Sequence, residues 1–93
     1  MIAETVKEIE SCGRQAVGVV ADLRDELQVK NAIDEVIGRL GQIDIVVNNA
    51  GVTGFEHGPA AHDPENASLA DWRAVHAVNL DGTFLGCRYA IAA

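Results

Sequence analysis

The chain has 93 residues, of which 48% are hydrophobic, and seven basic residues stand against 14 acidic ones for a net charge of −7. Its length excludes two domains, its apolar content excludes a disordered chain, and its charge disfavours binding to nucleic acid or to an anionic membrane. No apolar run reaches the roughly 18–20 residues that cross a bilayer, and the first residues lack the basic start of a signal peptide. Cys12 and Cys87 fit neither a zinc-binding nor a redox spacing. We therefore expect a cytoplasmic protein with reduced thiols.

The first two predicted elements are a helix and a strand. Ile2, Val6 and Ile9 share one helical face within residues 1–12. Gly13 follows at the position where glycine ends a helix. Residues 16–21 then form a β-branched run without alternation, which is typical of a strand buried on both faces.

The second helix and strand follow the same order. Residues 25–40 carry apolar side chains at the spacing of an amphipathic helix. Acidic residues lie in its first turn, Arg39 lies in its last turn and Gly41 follows. Residues 43–47 are a second short apolar strand.

A long irregular stretch and a final helix complete the chain. Residues 52–67 contain both prolines and two histidines, and connections of this length are often functional. Ser68 is a helix N-cap with Asp71 three residues later. The helix is predicted to run from Leu69 towards the C-terminus.

The order of elements is α-β-α-β-α, which predicts an α/β fold with a parallel sheet between helices. Two short strands are too few for an independently stable sheet. We therefore expect residues 1–93 to be a single, incomplete domain belonging to a larger protein.

The most specific motif is the run Asn48, Asn49, Ala50 and Gly51, directly after the second predicted strand. In doubly wound sheets, ligands bind in the crevice at the carboxyl ends of the strands. Small residues there allow a flat ring to approach the backbone, and the two amides supply donors and acceptors. An ordinary turn that tolerates asparagine is an equally good interpretation of this spacing.

Residues 43–51 resemble the strand and Asn-Asn-Ala-Gly motif of the short-chain dehydrogenase/reductase family. Asp22 and Leu23, the pair Asp71 and Trp72, and residues 78–84 also resemble segments of that family in order and spacing. The resemblance covers essentially the whole chain. It implies a partial Rossmann-like doubly wound parallel sheet and an NAD(P)-dependent oxidoreductase acting on a small alcohol or ketone.

The resemblance also implies residue roles. Asp22 would accept a hydrogen bond from the adenine amino group, and the Leu23 backbone would read the ring edge; capping of the next helix is the structural alternative for Asp22. Asn49, Ala50 and Gly51 would line the adenosine ribose, and Val78 would contact the nicotinamide side of the cleft or belong to the core. Asn79 would distort its helix and hold a water in the catalytic proton relay. Asparagine is unfavourable in the middle of a helix without such a reason.

Two family motifs are absent from the chain. No glycine-rich phosphate loop is present, and Tyr89 is followed four residues later by Ala93 instead of the lysine of the active-site Tyr-x-x-x-Lys motif. We therefore interpret Tyr89 as a packing residue and predict that this chain alone lacks dehydrogenase activity, since the acid needs a tyrosine beside a lysine. The cofactor is NAD or NADP, and the sequence does not indicate which.

Other functions remain as alternatives. A non-catalytic nucleotide-binding or interaction fragment would retain adenosine affinity without redox chemistry. An isomerase or lyase acting on nucleotide sugars is disfavoured by the Asn-Asn-Ala-Gly run, and a flavodoxin-like signalling domain would need more acidic residues than Asp22 at the strand ends. His57, His62 and their acidic neighbours are scattered at random loop spacing, so no metal site is predicted. Gly82 and Gly86 indicate close helix packing, either in a homo-oligomer of the intact enzyme or within the core.

Overall fold

The computed structural model describes residues 1–93, which form four α-helices and no β-strand. The helices are α1 (Ile2–Ser11), α2 (Glu26–Leu40), α3 (Leu69–His76) and α4 (Gly82–Ala92), and a π-helical turn (Ala77–Asp81) joins α3 to α4. The chain measures 50 × 29 × 18 Å with a radius of gyration of 16.0 Å. A closed domain of this length would have a radius of gyration of about 12 Å. The chain is therefore an open slab.

Helix α2 confirms the second predicted helix almost residue for residue. Its N-cap is Asp25, whose carboxylate accepts hydrogen bonds from the backbone N–H groups of Leu27 (3.0 Å) and Gln28 (3.3 Å). Its end is Gly41, at a φ of 94°, which glycine adopts without steric cost. The capping residue is thus Asp25, and the alternative that Asp22 caps this helix is wrong.

The first and last predicted helices are also confirmed. Helix α1 ends before Gly13, at a φ of 83°. Helix α3 begins after Ser68, whose hydroxyl accepts a hydrogen bond from the Asp71 backbone N–H at 3.0 Å. The predicted long helix continues through the π-helical turn to Ala92.

The predicted sheet is not present in this chain. Residues 14–22 and 42–53 contain neither helix nor strand, and no backbone hydrogen bond joins the two segments. A strand needs a neighbour for its hydrogen bonds, so neither segment pairs here. The expectation that both faces are buried is also wrong, because the exposed fractions of Val20, Ile45 and Val47 are 86%, 83% and 80%.

The core is small and lies between α2 and α4, which contact each other. Its only two buried hydrophobic side chains are Val29 of α2 and Leu85 of α4. The accessible surface is 7225 Å² for 9.9 kDa, whereas a closed monomer of that mass exposes about 5,200 Å². None of the helices is long and apolar enough to cross a membrane.

Candidate functional site

The largest cavity lies between the end of the first non-helical segment, the loop after Gly51, and α3 with its π-helical turn. Its volume is about 660 Å³, within the range of roughly 300–1,000 Å³ that is usual for small-molecule sites. Three residues with a predicted cofactor role line it: Asp22, Leu23 and Val78. The other predicted site residues lie outside its lining: Asn49, Ala50, Gly51 and Asn79.

Asp22 is the most strongly held polar side chain of the cavity wall. The Arg24 guanidinium donates to both of its carboxylate oxygens, with Nη2 at 2.7 Å and Nε at 3.0 and 3.3 Å, and the Arg24 backbone N–H donates at 2.9 Å. These bonds lower the pKa of Asp22 from its ordinary 3.8 to about 2, and the bond with the Arg24 side chain makes the largest contribution. The Asp22 backbone N–H donates to Gln28 Oε1 at 2.9 Å, which joins this corner to α2. An oriented, ionised hydrogen-bond acceptor therefore faces the cavity.

Leu23 packs closely against α4. A Cβ placed on Gly82 would lie 3.0 Å from the Leu23 Cβ and 3.5 Å from the Leu23 carbonyl oxygen. Gly82 is itself buried. The glycine is therefore an intramolecular contact, as the core-packing alternative predicted, and it fixes one apolar wall of the cavity.

Asn79 lies within the π-helical turn and is joined to the loop after Gly51. Its Nδ2 donates to the Val52 carbonyl and its Oδ1 accepts from the Val52 N–H, each at 2.8 Å. π-Helical turns are rare and occur frequently at functional sites. The helix distortion implied by the family resemblance is thus present, and the Asn79 amide holds the backbone of a residue that lines the cavity.

The Asn-Asn-Ala-Gly run lies beside this connection. A Cβ on Gly51 would be 3.3 Å from Asn79 Oδ1, so glycine leaves room for the amide. Asn48 turns the other way: its Nδ2 donates to Cys87 Sγ at 3.4 Å, and a Cβ on Gly86 would lie 2.6 Å from its Oδ1. Asn49 and Ala50 are exposed. The run therefore connects the segment to α4 and to the π-helical turn.

Glu56 is a site residue that the sequence analysis grouped only with possible metal ligands. Its carboxylate accepts hydrogen bonds from the Thr53 N–H (2.6 Å), the Gly54 N–H (2.9 Å) and the Thr53 hydroxyl (3.1 Å). These bonds lower the pKa of Glu56 from its ordinary 4.5 to about 2, and the bond with the Thr53 backbone makes the largest contribution. The only signal in the sequence is a carboxylate two residues after a glycine, which is too common to be diagnostic.

A second, smaller cavity lies on the far side of the loop, next to two pairs of contacting rings. His62 lies against Phe55 in a tilted arrangement with ring centroids 4.0 Å apart, and His76 stacks on Trp72 at 4.2 Å. The volume of this cavity is about 180 Å³. No group of three His, Cys, Asp or Glu side chains is arranged to hold a metal ion.

The side chains of acid–base chemistry are not assembled in this chain. The Tyr89 ring is half-buried on α4 with the Arg88 guanidinium 5.8 Å from its centroid. Ser11 Oγ donates to the Glu8 carbonyl at 2.6 Å, and Ser68 caps α3. What the cavity offers instead is two carboxylates held by hydrogen bonds, those of Asp22 and Glu56, together with that of Asp71.

The two non-helical segments that alternate with the helices both end at this cavity, at Asp22 and Val52, and doubly wound α/β proteins bind ligands at the corresponding ends of their strands. The family model for short chain dehydrogenases matches residues 1–93, and the chain belongs to that family.

Individual relatives agree with this membership. Glucose 1-dehydrogenase 2 of Bacillus subtilis is 38% identical over 88 residues, which are 95% of this chain and 32% of that protein. A 3-ketoacyl-ACP reductase from Sinorhizobium meliloti has a similar structure, with a TM-score of 0.85 and 34% identity over 98% of this chain and 34% of that one. A short chain dehydrogenase from Burkholderia cenocepacia, solved in complex with NADP, has a TM-score of 0.81 and 33% identity over 97% of this chain and 34% of that one. The chain spans about a third of the length of these relatives.

Proposed function

We propose that residues 1–93 are part of a nucleotide-binding domain in an oxidoreductase that transfers a hydride between NAD or NADP and a small alcohol or ketone. The observation that carries this proposal is that Asp22, Leu23 and Val78 line one cavity in a chain of the short chain dehydrogenase family. The B. cenocepacia relative is described in complex with NADP, which supports the same class of cofactor here.

The residues of the cavity fit the adenosine end of such a cofactor. Asp22 would supply an ionised acceptor for the adenine amino group and the Leu23 backbone would lie at the ring edge, whereas Val78 would lie towards the nicotinamide side. Arg24 is the only lysine or arginine in the lining, and its guanidinium is already bound to Asp22. The cavity therefore has no free permanent cation for a diphosphate. When bound, the nicotinamide supplies or accepts the hydride.

We propose that Asn79 serves the reaction by holding the loop at Val52. Its amide retains one lone pair on Oδ1 and one hydrogen on Nδ2 beyond the two bonds to Val52, and these could hold a water. We further propose that Asn49, Ala50 and Gly51 contact the ribose, because their exposed backbone immediately precedes Val52 at the cavity.

The proposal is tested by titrating the purified chain with adenosine, NAD and NADP, and by following thermal melting with circular dichroism. We expect binding that raises a cooperative transition, and at least tenfold weaker binding in Asp22→Ala. A hydrogen bond to a charged group contributes about 1.5–3 kcal/mol, and 1.4 kcal/mol is about tenfold in affinity. Asp34→Ala is the matched control, because Asp34 pairs with Lys30 at 2.9 Å on α2, away from the cavity. Equal affinity of both variants would remove Asp22 from the site.

The second candidate is a nucleotide-binding fragment without catalysis. The names of the relatives, which are dehydrogenases and reductases, favour the oxidoreductase over this candidate. Binding of the cofactor with no change in nicotinamide absorbance after addition of alcohol or ketone is the result we expect for this chain. Turnover by the pure chain would contradict it.

We also propose a homo-oligomer for the intact enzyme and a cytoplasmic location. Exposed apolar side chains along α3 and α4 support the oligomer, with exposed fractions of 59% for Trp72, 61% for Leu80 and 57% for Phe84. Cys12 and Cys87 are both free thiols, which agrees with a reducing compartment.

A further inference from the structure

The loop that forms one wall of the large cavity is held by side chains bound to its own backbone. Four consecutive N–H groups, at residues 52–55, each donate to a side-chain oxygen. The Val52 N–H is bound by Asn79, those of Thr53 and Gly54 by Glu56, and that of Phe55 by the Thr53 hydroxyl at 3.2 Å. Glu56 therefore holds two of the four groups and the Thr53 hydroxyl as well.

This loop supplies a large part of the cavity. Seven of its 15 lining residues lie between positions 52 and 60, and the facing wall contains Asp22 and Leu23. Gly54 lies at a φ of 89° and packs under the His62 ring, where a Cβ would come within 2.8 Å of the ring carbon Cε1. A residue with a side chain would therefore not fit at position 54 without moving the His62 ring.

The carboxylate charge matters for this arrangement. A carboxylate accepts hydrogen bonds on both oxygens, whereas a carboxamide has one acceptor and would direct an N–H group towards a backbone N–H. Hydrogen bonds to an ionised group are also about twice as strong as neutral ones. The low pKa of Glu56 keeps it ionised throughout the physiological range.

We propose that Glu56 is a positioning residue that fixes the loop opposite Asp22 and thereby sets the affinity of the cavity for the adenosine end of the cofactor. This inference rests on the proposed function. Glu56 acts through the backbone of Thr53 and Gly54, so its effect on binding is indirect. A loop that must be ordered by the ligand lowers the apparent affinity, because the competent conformation is only fractionally populated.

The test compares Glu56→Gln with Glu65→Gln, which removes the same charge from an exposed side chain of the same loop that makes no hydrogen bond or ion pair. Amide hydrogen exchange at Thr53 and Gly54 and the dissociation constant for adenosine are measured by NMR. We expect Glu56→Gln to accelerate exchange at both amides at least tenfold and to weaken adenosine binding about fivefold to tenfold. Glu65→Gln should match the wild type in both measurements. Unchanged helicity by circular dichroism verifies the fold of each variant.

Each other outcome contradicts the inference in an identifiable way. Faster exchange with unchanged adenosine affinity would show that loop order does not set binding, and the proposed function would stand. Unchanged exchange would show that Glu56 does not hold the loop. A wild-type chain that fails to bind adenosine would refute the proposed adenosine site in these residues, and with it the role of Glu56 in binding, while the family membership would stand.

Discussion

Two glycines in helices provide a sharp test of the contact between Leu23 and α4. A Cβ on Gly38, in α2, would have no atom within 4 Å, whereas a Cβ on Gly82 would lie 3.0 Å from the Leu23 Cβ. Replacing a helical glycine by alanine stabilises the helix by about 1 kcal/mol. We therefore expect Gly38→Ala to raise the free energy of unfolding by about 1 kcal/mol.

At Gly82 the same gain is opposed by overpacking, which typically costs about 1–3 kcal/mol. To relieve this close contact with the new Cβ, Leu23 would have to move by a few tenths of an ångström. The residues on either side restrain it, because the Asp22 N–H donates to Gln28 Oε1 at 2.9 Å and the Asp25 N–H donates to the Asp22 carbonyl at 3.0 Å. Gly82→Ala should therefore have a free energy of unfolding about 1–3 kcal/mol below that of Gly38→Ala.

The assay is urea denaturation of the wild type and both variants, followed by circular dichroism at 222 nm. Equal stabilisation by the two substitutions would refute the reasoning, since it would mean that Leu23 yields without cost. A broad, non-cooperative transition in the wild type would also refute it, because the contact would then not join the two elements in the isolated chain.

Two further predictions concern Arg24 and Asn79. Because the pKa of Asp22 is lowered from 3.8 to about 2 in the folded chain, its ionisation stabilises the fold above pH 3.8, and this contribution is lost as the pH falls towards 2. In Arg24→Ala the pKa of Asp22, measured by carboxyl ¹³C NMR, should rise part of the way to 3.8, since the backbone N–H at position 24 still donates; an unchanged pKa would contradict the assigned cause. In Asn79→Ala, amide exchange at Val52 should accelerate about fivefold, because the Val52 N–H loses a hydrogen bond worth roughly 1 kcal/mol. Asn31→Ala, at an exposed position on α2, is the control, and equal exchange in both variants would show that Asn79 does not hold Val52.

Local sequence signals predicted the helices because their causes lie within a few residues. Asp25, Gly41 and Ser68 act on backbone groups no more than four positions away, so their types and spacing were sufficient. The family resemblance implied a helix distortion at Asn79 but not its π-helical form, while the residues alone indicated only that an asparagine is unfavourable in the middle of a helix. Its partner, Val52, is 27 positions away.

Local sequence signals could not predict whether the sheet forms, because strand formation depends on neighbours that are distant in sequence. Residues 16–21 and 43–47 have the composition of buried strands, yet they lie without partners and expose Val20 and Ile45. The composition of a segment indicates whether it suits a buried position, whereas pairing with a neighbour decides whether it forms a strand. The position of Asp22 in the cavity wall does not depend on such pairing, because Arg24 binds its side chain and Gln28 binds its backbone N–H.

Charge determines which part of a dinucleotide this cavity can hold. Asp22 and Glu56 both line it and both stay ionised at neutral pH, while the one arginine of the lining is bound to Asp22. With Asp71, the lining holds three carboxylates against one arginine, so a diphosphate brought to these walls would meet a net negative charge. The adenine ring carries no charge, so it avoids this repulsion. If the proposed adenosine site is correct, these residues would recognise the base, and the positive charge that attracts the phosphates would come from groups outside this lining.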